Sequence, residues 1–442
     1  MGDGPKTLLK WLVDRDRMPY RRFDQKFTET GGLLFGRSPN NPTCGESQFR
    51  RWTAGKLIGL PGAEACRILE TMFPGHTVEQ LFGPPPAADD LPAIPRDLEE
   101  RVRMTAREAH DSADATATAA ISDTSIDEIR DQVISLARQY HAVPPQKAFE
   151  DADVLRLEVE RQRDRTQIPA QQQELMVLNG QVSALLSAAA FNLGYLSSAR
   201  SFARTAALYG ETSRFAPLRA FADGALAYIA YHSGEATEAA AKAERALSHG
   251  AVGDVAYRRL YAIQARAYAH LGDVSSAQAA IRRSEEADHG RRDELHDTVG
   301  GEFGFPAERL AMSNSTTALV IGDGAQAETS ARRALVLLAQ KPQNTQSAHV
   351  RGGAAADLAL ARLMSGDVDG AAEALEPVWS IPEDHRMTGI VVRMARVRRH
   401  LAQPAYHGAP LPRQLRERIE DYTRLSPPYR LGPHTGLLAL EA

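Results

Sequence analysis

In the stretch SIDEIRDQVISLARQY (125–140), Ile126, Ile129, Val133, Leu136 and Tyr140 lie three or four positions apart, the spacing of one buried helix face. The same period governs the start of the chain. TLLKWLVDRD carries Leu8, Leu9, Trp11 and Leu12 at helical spacing, and PYRRFDQKF opens with Pro19 at a first-turn position. GESQFRRWTAGK, PGAEACRILETMF and TVEQLFG follow, so five short helices are predicted before residue 82. The next segment, GPPPAADDLPAIP, packs five prolines into thirteen residues and cannot continue a helix. It reads as a linker over 83–96, followed by a helical connector over 97–143 that ends at Pro144 and Pro145.

Beyond residue 144 the helical pattern repeats. Five helix-to-helix turns align on Gly194, Gly234, Gly272, Gly322 and Gly366. Five places after each glycine stands alanine: Ala199, Ala239, Ala277, Ala327 and Ala371. Seven places before it stands Ser187, Ala227, Ala265, Ser315 or Ala359. Small residues at both places predict two helices pressed together at every turn. The glycines are 40, 38, 50 and 44 residues apart, so each unit has a longer connection than the minimal repeat of 34 residues. The small-residue register resembles the tetratricopeptide array over about 171–379, though the bulky Trp and Tyr markers of that family are mostly missing. A repeat domain is accordingly expected over 144–403, with a C-terminal extension over 404–442.

Composition supports this reading. Alanine is abundant and aromatics are only 6%, which favours helix over strand and makes an all-α fold the expectation: a small helical head followed by an α-solenoid. At 442 residues the chain exceeds the usual size of a single core, so more than one domain is expected. Cys44 and Cys66 cannot make a zinc site by themselves, and neither a secretory segment nor an apolar run of transmembrane length is read. A cytoplasmic address and no membrane partner are expected.

One stretch suggests a cofactor. In ALVIGDGAQAETS (318–330), an apolar run precedes Gly322-x-Gly324-x-x-Ala327, close to the glycine loop that cradles a dinucleotide pyrophosphate. But Gly322 falls where the other four turn glycines fall, Ala327 is the repeat alanine, and no acid follows at about 20 residues. The turn reading is preferred, and no cofactor is expected. Nor does any Ser/His/Asp, Cys/His or paired-carboxylate arrangement give reason to call the chain an enzyme. His289, Glu294 and His296 could meet a metal, but Gly290 breaks their register and a solvated loop is expected instead. Arg393, Arg396, Arg399 and His400 near one helix face are likewise expected to be wet.

The head supports a different chemistry. Gln48-Phe49-Arg50-Arg51-Trp52-x-x-Gly55-Lys56 resembles the recognition helix of repressor-type (XRE-like) helix-turn-helix domains. Pro61, Cys66-Arg67-Ile68-Leu69-Glu70, Phe73-Pro74-Gly75 and Glu79-Gln80-Leu81-Phe82 are similar to the segments that follow in actinobacterial regulators with a C-terminal helical-repeat domain. GGEFGFPAERLA (300–311) and SGDVDGAAEALEPV (365–378) look like parts of that repeat domain. The resemblance implies double-stranded DNA as partner, with Glu46, Ser47, Gln48 and Arg50 toward base edges and Arg21, Arg22 and Lys56 toward phosphates. Phe49 and Trp52 are expected in the core. The first 60 residues hold eleven Lys or Arg against six acids, a balance of +5, which leaves −9 for the rest of a chain with net charge −4. A basic head on an acidic body suits phosphate attraction. One departure stands out: TETGGLLFGRSPNNPT before the recognition helix exceeds the three- or four-residue turn of the motif. It could lengthen the second helix, form a wing, or mark a head that no longer binds DNA.

For the repeat domain, the resemblance implies a concave groove lined by Gln181, Asn192, Phe221, Tyr228, Tyr231, His232, Arg259, Arg266, His270 and Arg309. Aromatics mixed with arginines would suit a peptide, a protein segment or a small acidic effector. The function read from the sequence is therefore a DNA-binding transcriptional regulator whose repeat domain dimerises or takes up an effector. The alternative is a repeat-based adaptor with a degenerate head.

Overall fold

The computed structural model describes residues 5–36, 41–57, 59–85, 104–106, 108–109 and 121–431. Most of the Pro-rich linker and the first half of the connector lie outside the described residues. Every regular element among the described residues is helical. The chain divides into two compact units, residues 1–110 and 111–442.

Over residues 5–85 the described part of the first unit holds five helices: α1 (Leu8–Arg15), α2 (Tyr20–Phe35), α3 (Glu46–Thr53), α4 (Ala63–Met72) and α5 (Val78–Phe82). Thr7 caps α1 by accepting from the Lys10 amide at 3.1 Å, and Thr77 with Gln80 closes a capping box on α5. The core is aromatic. Phe23 and Phe27 from α2 are fully buried; Phe23 lies 4.8 Å from Phe49 and Phe27 5.9 Å from Trp52, both on α3. Of the insert before α3, Thr28 to Phe35 lengthens α2. Residues 37–40 lie outside the described residues.

The second unit is consistent with an α-solenoid: its helices pack in sequence-adjacent pairs. α6 (Asp123–Gln139) and α7 (Pro145–Arg165) come first. Five hairpins follow: α8 (Pro169–Asn192) with α9 (Leu196–Thr212), α10 (Ala216–His232) with α11 (Ala236–Ser248), α12 (Asp254–His270) with α13 (Val274–Glu286), α14 (Ala307–Val320) with α15 (Gly324–Ala339), and α16 (Ala348–Met364) with α17 (Val368–Trp379). Then α18 (Thr388–Leu401) pairs with α19 (Pro410–Arg424), and α20 (Pro427–Leu431) ends the described chain. Ile126, Ile129 and Val133 of the stretch read as a connector share a core with Leu175 and Leu185 of α8. Leu415 and Ile419, from the stretch read as an extension, share one with α17 and α18.

The glycine register is explained by backbone conformation and by packing. Gly194, Gly234, Gly272, Gly322 and Gly366 all have φ between +76° and +88°, the left-handed conformation that closes a helix C-terminus. The paired small residues are all buried, and at the first turn the Ser187 hydroxyl donates to the Ala199 carbonyl at 2.8 Å. A hydroxyl reaches the facing backbone only where the two helices nearly touch. The stretch 318–330 is the end of α14, a turn and the start of α15, with Asp323 capping α15, and it contains no strand.

The first helices of the hairpins form an inner row, α8 to α10 to α12 to α14 to α16 to α18, and α18 packs back against α8. Thr388 donates its hydroxyl to the Asn192 carbonyl at 3.1 Å, and Arg396 donates to the Tyr231 hydroxyl at 3.2 Å. The row thus closes on itself. Among the described residues α8 alone is long and apolar enough to cross a membrane, unlike what its sequence first suggests, but most of it is buried inside this unit.

Leucine in place of Ala265 should force α12 and α13 apart and lower the unfolding free energy by about 1–3 kcal/mol in urea denaturation. Alanine in place of Gly272 meets open space but a φ of +76°, so its expected cost is the backbone strain alone, about 1–2 kcal/mol.

Candidate ligand cavity and candidate nucleic-acid face

On the first unit, α3 turns Phe49 and Trp52 inward, and Glu46, Ser47, Arg50 and Arg51 are exposed. Gln48 is half-buried. Glu46 and Arg50, one helical turn apart, pair at 2.6 Å, so neither charge projects unpartnered. Exposed pairs of this kind contribute only about 0.3–0.5 kcal/mol and yield readily to a stronger anion. Lys56 is exposed just after Gly55, whose φ of +66° ends the helix. Arg21 and Arg22 occupy the first turn of α2 and are exposed. The Tyr20 ring lies 5.7 Å from Phe49, and its hydroxyl donates to the Cys44 carbonyl at 3.3 Å. The cationic first turn of α2 is therefore held beside the entry to α3.

In the second unit, the inner row lines a partly open cavity of about 90 Å³. Six of the ten groove residues named from sequence line it: Asn192 from α8, Phe221 and Tyr228 from α10, Arg259 and Arg266 from α12, and Arg309 from α14. Tyr231 and His270 line a second opening of about 580 Å³ with Arg396, Arg399 and His400 of α18. Gln181 and His232 line neither; both are buried in the packing. His232 sits among the rings of Phe191, Tyr228 and Tyr231 at 4.6–4.9 Å with no partner for either ring nitrogen.

The cavity is cationic. Glu302 is buried between Arg309 and His141, each at 3.1 Å. Burial alone would raise its pKa, but the Arg309 charge and the His141 hydrogen bond outweigh burial and hold the carboxyl well below the usual range. Arg259 stacks 4.1 Å from the Phe221 ring centre and donates to the Phe221 carbonyl at 3.2 Å. Burial, reinforced by the nearby Arg309 charge, lowers its pKa to about 10. Arg266 donates to the Ser313 hydroxyl at 2.8 Å and lies over Tyr228 and Tyr231. Its Nε has no partner, and neither has Nδ1 of His349, which also lines the cavity. Burial and the Arg266 charge drive the pKa of His232 well below its ordinary value, and burial with Arg393 does the same to His349.

Two sequence expectations are corrected. Arg393 is not wet: it is buried against Asp357 at 3.2 Å and donates to the Thr316 hydroxyl at 2.8 Å. The segment containing His289, Glu294 and His296 is not a solvated loop throughout. A π-type turn over Glu294–Val299 buries His296 against Asp293 at 2.9 Å, and Phe303 beyond it is fully buried. No cluster of three metal-ligating side chains occurs among the described residues.

Sequence reasoning missed Glu302, His141, Ser313 and His349. A signal for Glu302 existed in the 50-residue gap between Gly272 and Gly322, the longest of the four. The added length carries Gly300 and Gly301, at φ +65° and +61°. Gly301 packs so tightly on the Ala137 carbonyl that no Cβ fits, and the Glu302 amide donates to that carbonyl at 2.9 Å. The connection thus docks on the end of α6 and turns Glu302 inward. No family model matches the sequence, and no curated protein matches it.

Between about pH 6.5 and the depressed pKa values of His232 and His349, the unfolded chain binds protons that the folded chain refuses. Stability from these two groups is full above pH 6.5 and is lost as pH falls, by up to about 1.4 kcal/mol per pH unit for each. Urea unfolding at pH 7.5 and 5.0 should register this loss, and His232→Phe, which keeps a ring in the same aromatic site, should reduce the slope.

Proposed function

We propose that the chain is a DNA-binding transcriptional regulator, with unit 1–110 as a helix-turn-helix head and unit 111–442 as a tetratricopeptide-like body that takes up an effector, dimerises, or does both. The observation that carries the reading is the shared edge formed by Arg21 and Arg22 at the start of α2 and the exposed face of α3. Two helix N-termini on one edge offer backbone amides and positive dipole ends to phosphates, and guanidinium groups beside them add charge. Arg50 has the reach for a guanine edge, and Gln48 the donor and acceptor pair for adenine. The sequence resemblance to actinobacterial repressor-type regulators with helical repeats supports the same assignment. The lengthened α2 departs from the tight motif but leaves Phe23 and Phe27 packed on α3, so the helix retains its aromatic support.

In the body, the inward-facing arginines and aromatics are the features an effector would meet. The proposed roles carry no catalytic step and no cofactor, and they fit a cytoplasmic protein.

The test is binding of the full chain to fluorescent genomic duplex fragments at several salt concentrations. A steep fall of log affinity with log salt is expected. Arg50→Ala with Lys56→Ala should weaken binding about tenfold or more and lower the salt slope by about one for each phosphate that is no longer neutralised. Absence of salt-dependent binding in the unaltered chain, with the double variant behaving the same, would leave the adaptor reading in its place.

A further inference from the structure

Five arginines converge on the inside of the closed row: Arg259, Arg266, Arg309, Arg393 and Arg396. Two carboxylates face them. Glu302 is taken by Arg309 and His141, and Asp357 by Arg393 with the hydroxyls of Ser315 and Thr316. Arg396 reaches the Tyr231 hydroxyl. That leaves Arg259 and Arg266, 7% and 4% exposed, with no carboxylate within 4 Å among the described residues; Glu302 acts on Arg259 only from farther away and is already taken by Arg309 and His141. A charge taken out of water without a counter-charge is strongly unfavourable, and cores rarely keep one. Here two are kept, and the surrounding packing makes room for one of them: a Cβ on Gly224 would stand 2.6 Å from the Arg259 guanidinium.

We propose that the central cavity binds a small organic acid with a flat apolar body, and that Arg259 and Arg266 of α12 supply the missing counter-charge to its acid group. The geometry of donors and walls supports each half of this ligand. Arg266 keeps an unpartnered Nε beside the Ser313 hydroxyl, so donor capacity there waits for an acceptor, and Nδ1 of His349, a residue of the same lining, is unpartnered as well, donor or acceptor by its tautomer. Phe191, Ile263, Phe305 and Met312 give the wall an apolar part, beside the polar Ser187, Asn192, His141 and Glu302. A volume of about 90 Å³ equals the space of roughly six to nine water positions at about 10–15 Å³ each, which suits a single ring bearing an acid group. This inference deepens the reading of the body as an effector-binding domain, and names the chemical class of the effector.

The test uses the full chain and ¹⁹F NMR, with 4-fluorobenzoate as probe, 4-fluorobenzamide as its uncharged match, and inorganic phosphate as the acid group without a body. Saturable broadening is expected for 4-fluorobenzoate, at least tenfold weaker binding for the amide, and at least tenfold weaker competition by phosphate. Arg259→Met with Arg266→Met should abolish benzoate binding, yet raise the melting temperature of the ligand-free chain, because an uncompensated buried charge has been replaced by apolar volume. A purely structural role for these arginines predicts a lower melting temperature instead. Equal binding of amide and benzoate overturns the proposal, as does phosphate competing as well as benzoate, or a folded double variant that still binds. The amide comparison needs no substitution, so it decides even where the variant does not fold. DNA is absent throughout: loss of DNA binding with benzoate binding intact sinks the regulator reading alone, and the converse sinks this proposal alone.

Discussion

Helix backbones can nearly touch only where neither helix carries a large side chain, and the second unit depends on meeting that condition five times. Ser187 with Ala199, Ala227 with Ala239, Ala265 with Ala277, Ser315 with Ala327 and Ala359 with Ala371 all lie buried at the hairpin crossings. Each close crossing sets the angle at which its hairpin departs, and the next hairpin stacks on the result. Repetition of one local constraint therefore fixes the curvature of the inner row until α18 returns to α8. The cavity and its buried arginines are products of that curvature. Neither belongs to any single repeat.

Much of this could be read in the chain. The helical period, the glycine turns and the small-residue register are local signals, encoded within a few residues of where they act, and Gly322 finds its place among the five turns by the same register. Phe49 and Trp52 were equally legible, three apart on a short helix, with Trp52 buried and Phe49 packed against the same core. Six groove residues meet in one cavity because inner-helix positions repeat with the hairpins.

What was not legible depends on distance. Arg393 looks like part of a solvated stripe because its partner, Asp357, is 36 residues earlier on another helix. Glu302 and His141 come from segments outside the repeat pattern, brought together by a glycine pair docking on α6. His232 and Gln181 follow the groove period but are covered by packing, His232 against Phe191 of the preceding inner helix. Periodicity gives the face of a helix; it does not say how much of that face the next helix takes up.

Closure of the inner row has a consequence for cooperativity. An open stack of repeats has two free ends, and unfolding can begin at either and propagate through nearest-neighbour contacts. Here the last inner helix is joined to the first by Thr388 to Asn192 and to the second by Arg396 to Tyr231, hydrogen bonds that span 196 and 165 residues of chain. The loss of any one hairpin opens the seam as well as its own two interfaces. Local fraying is thereby coupled to the whole unit, and a quasi-linear array acquires the all-or-none character of a globular domain.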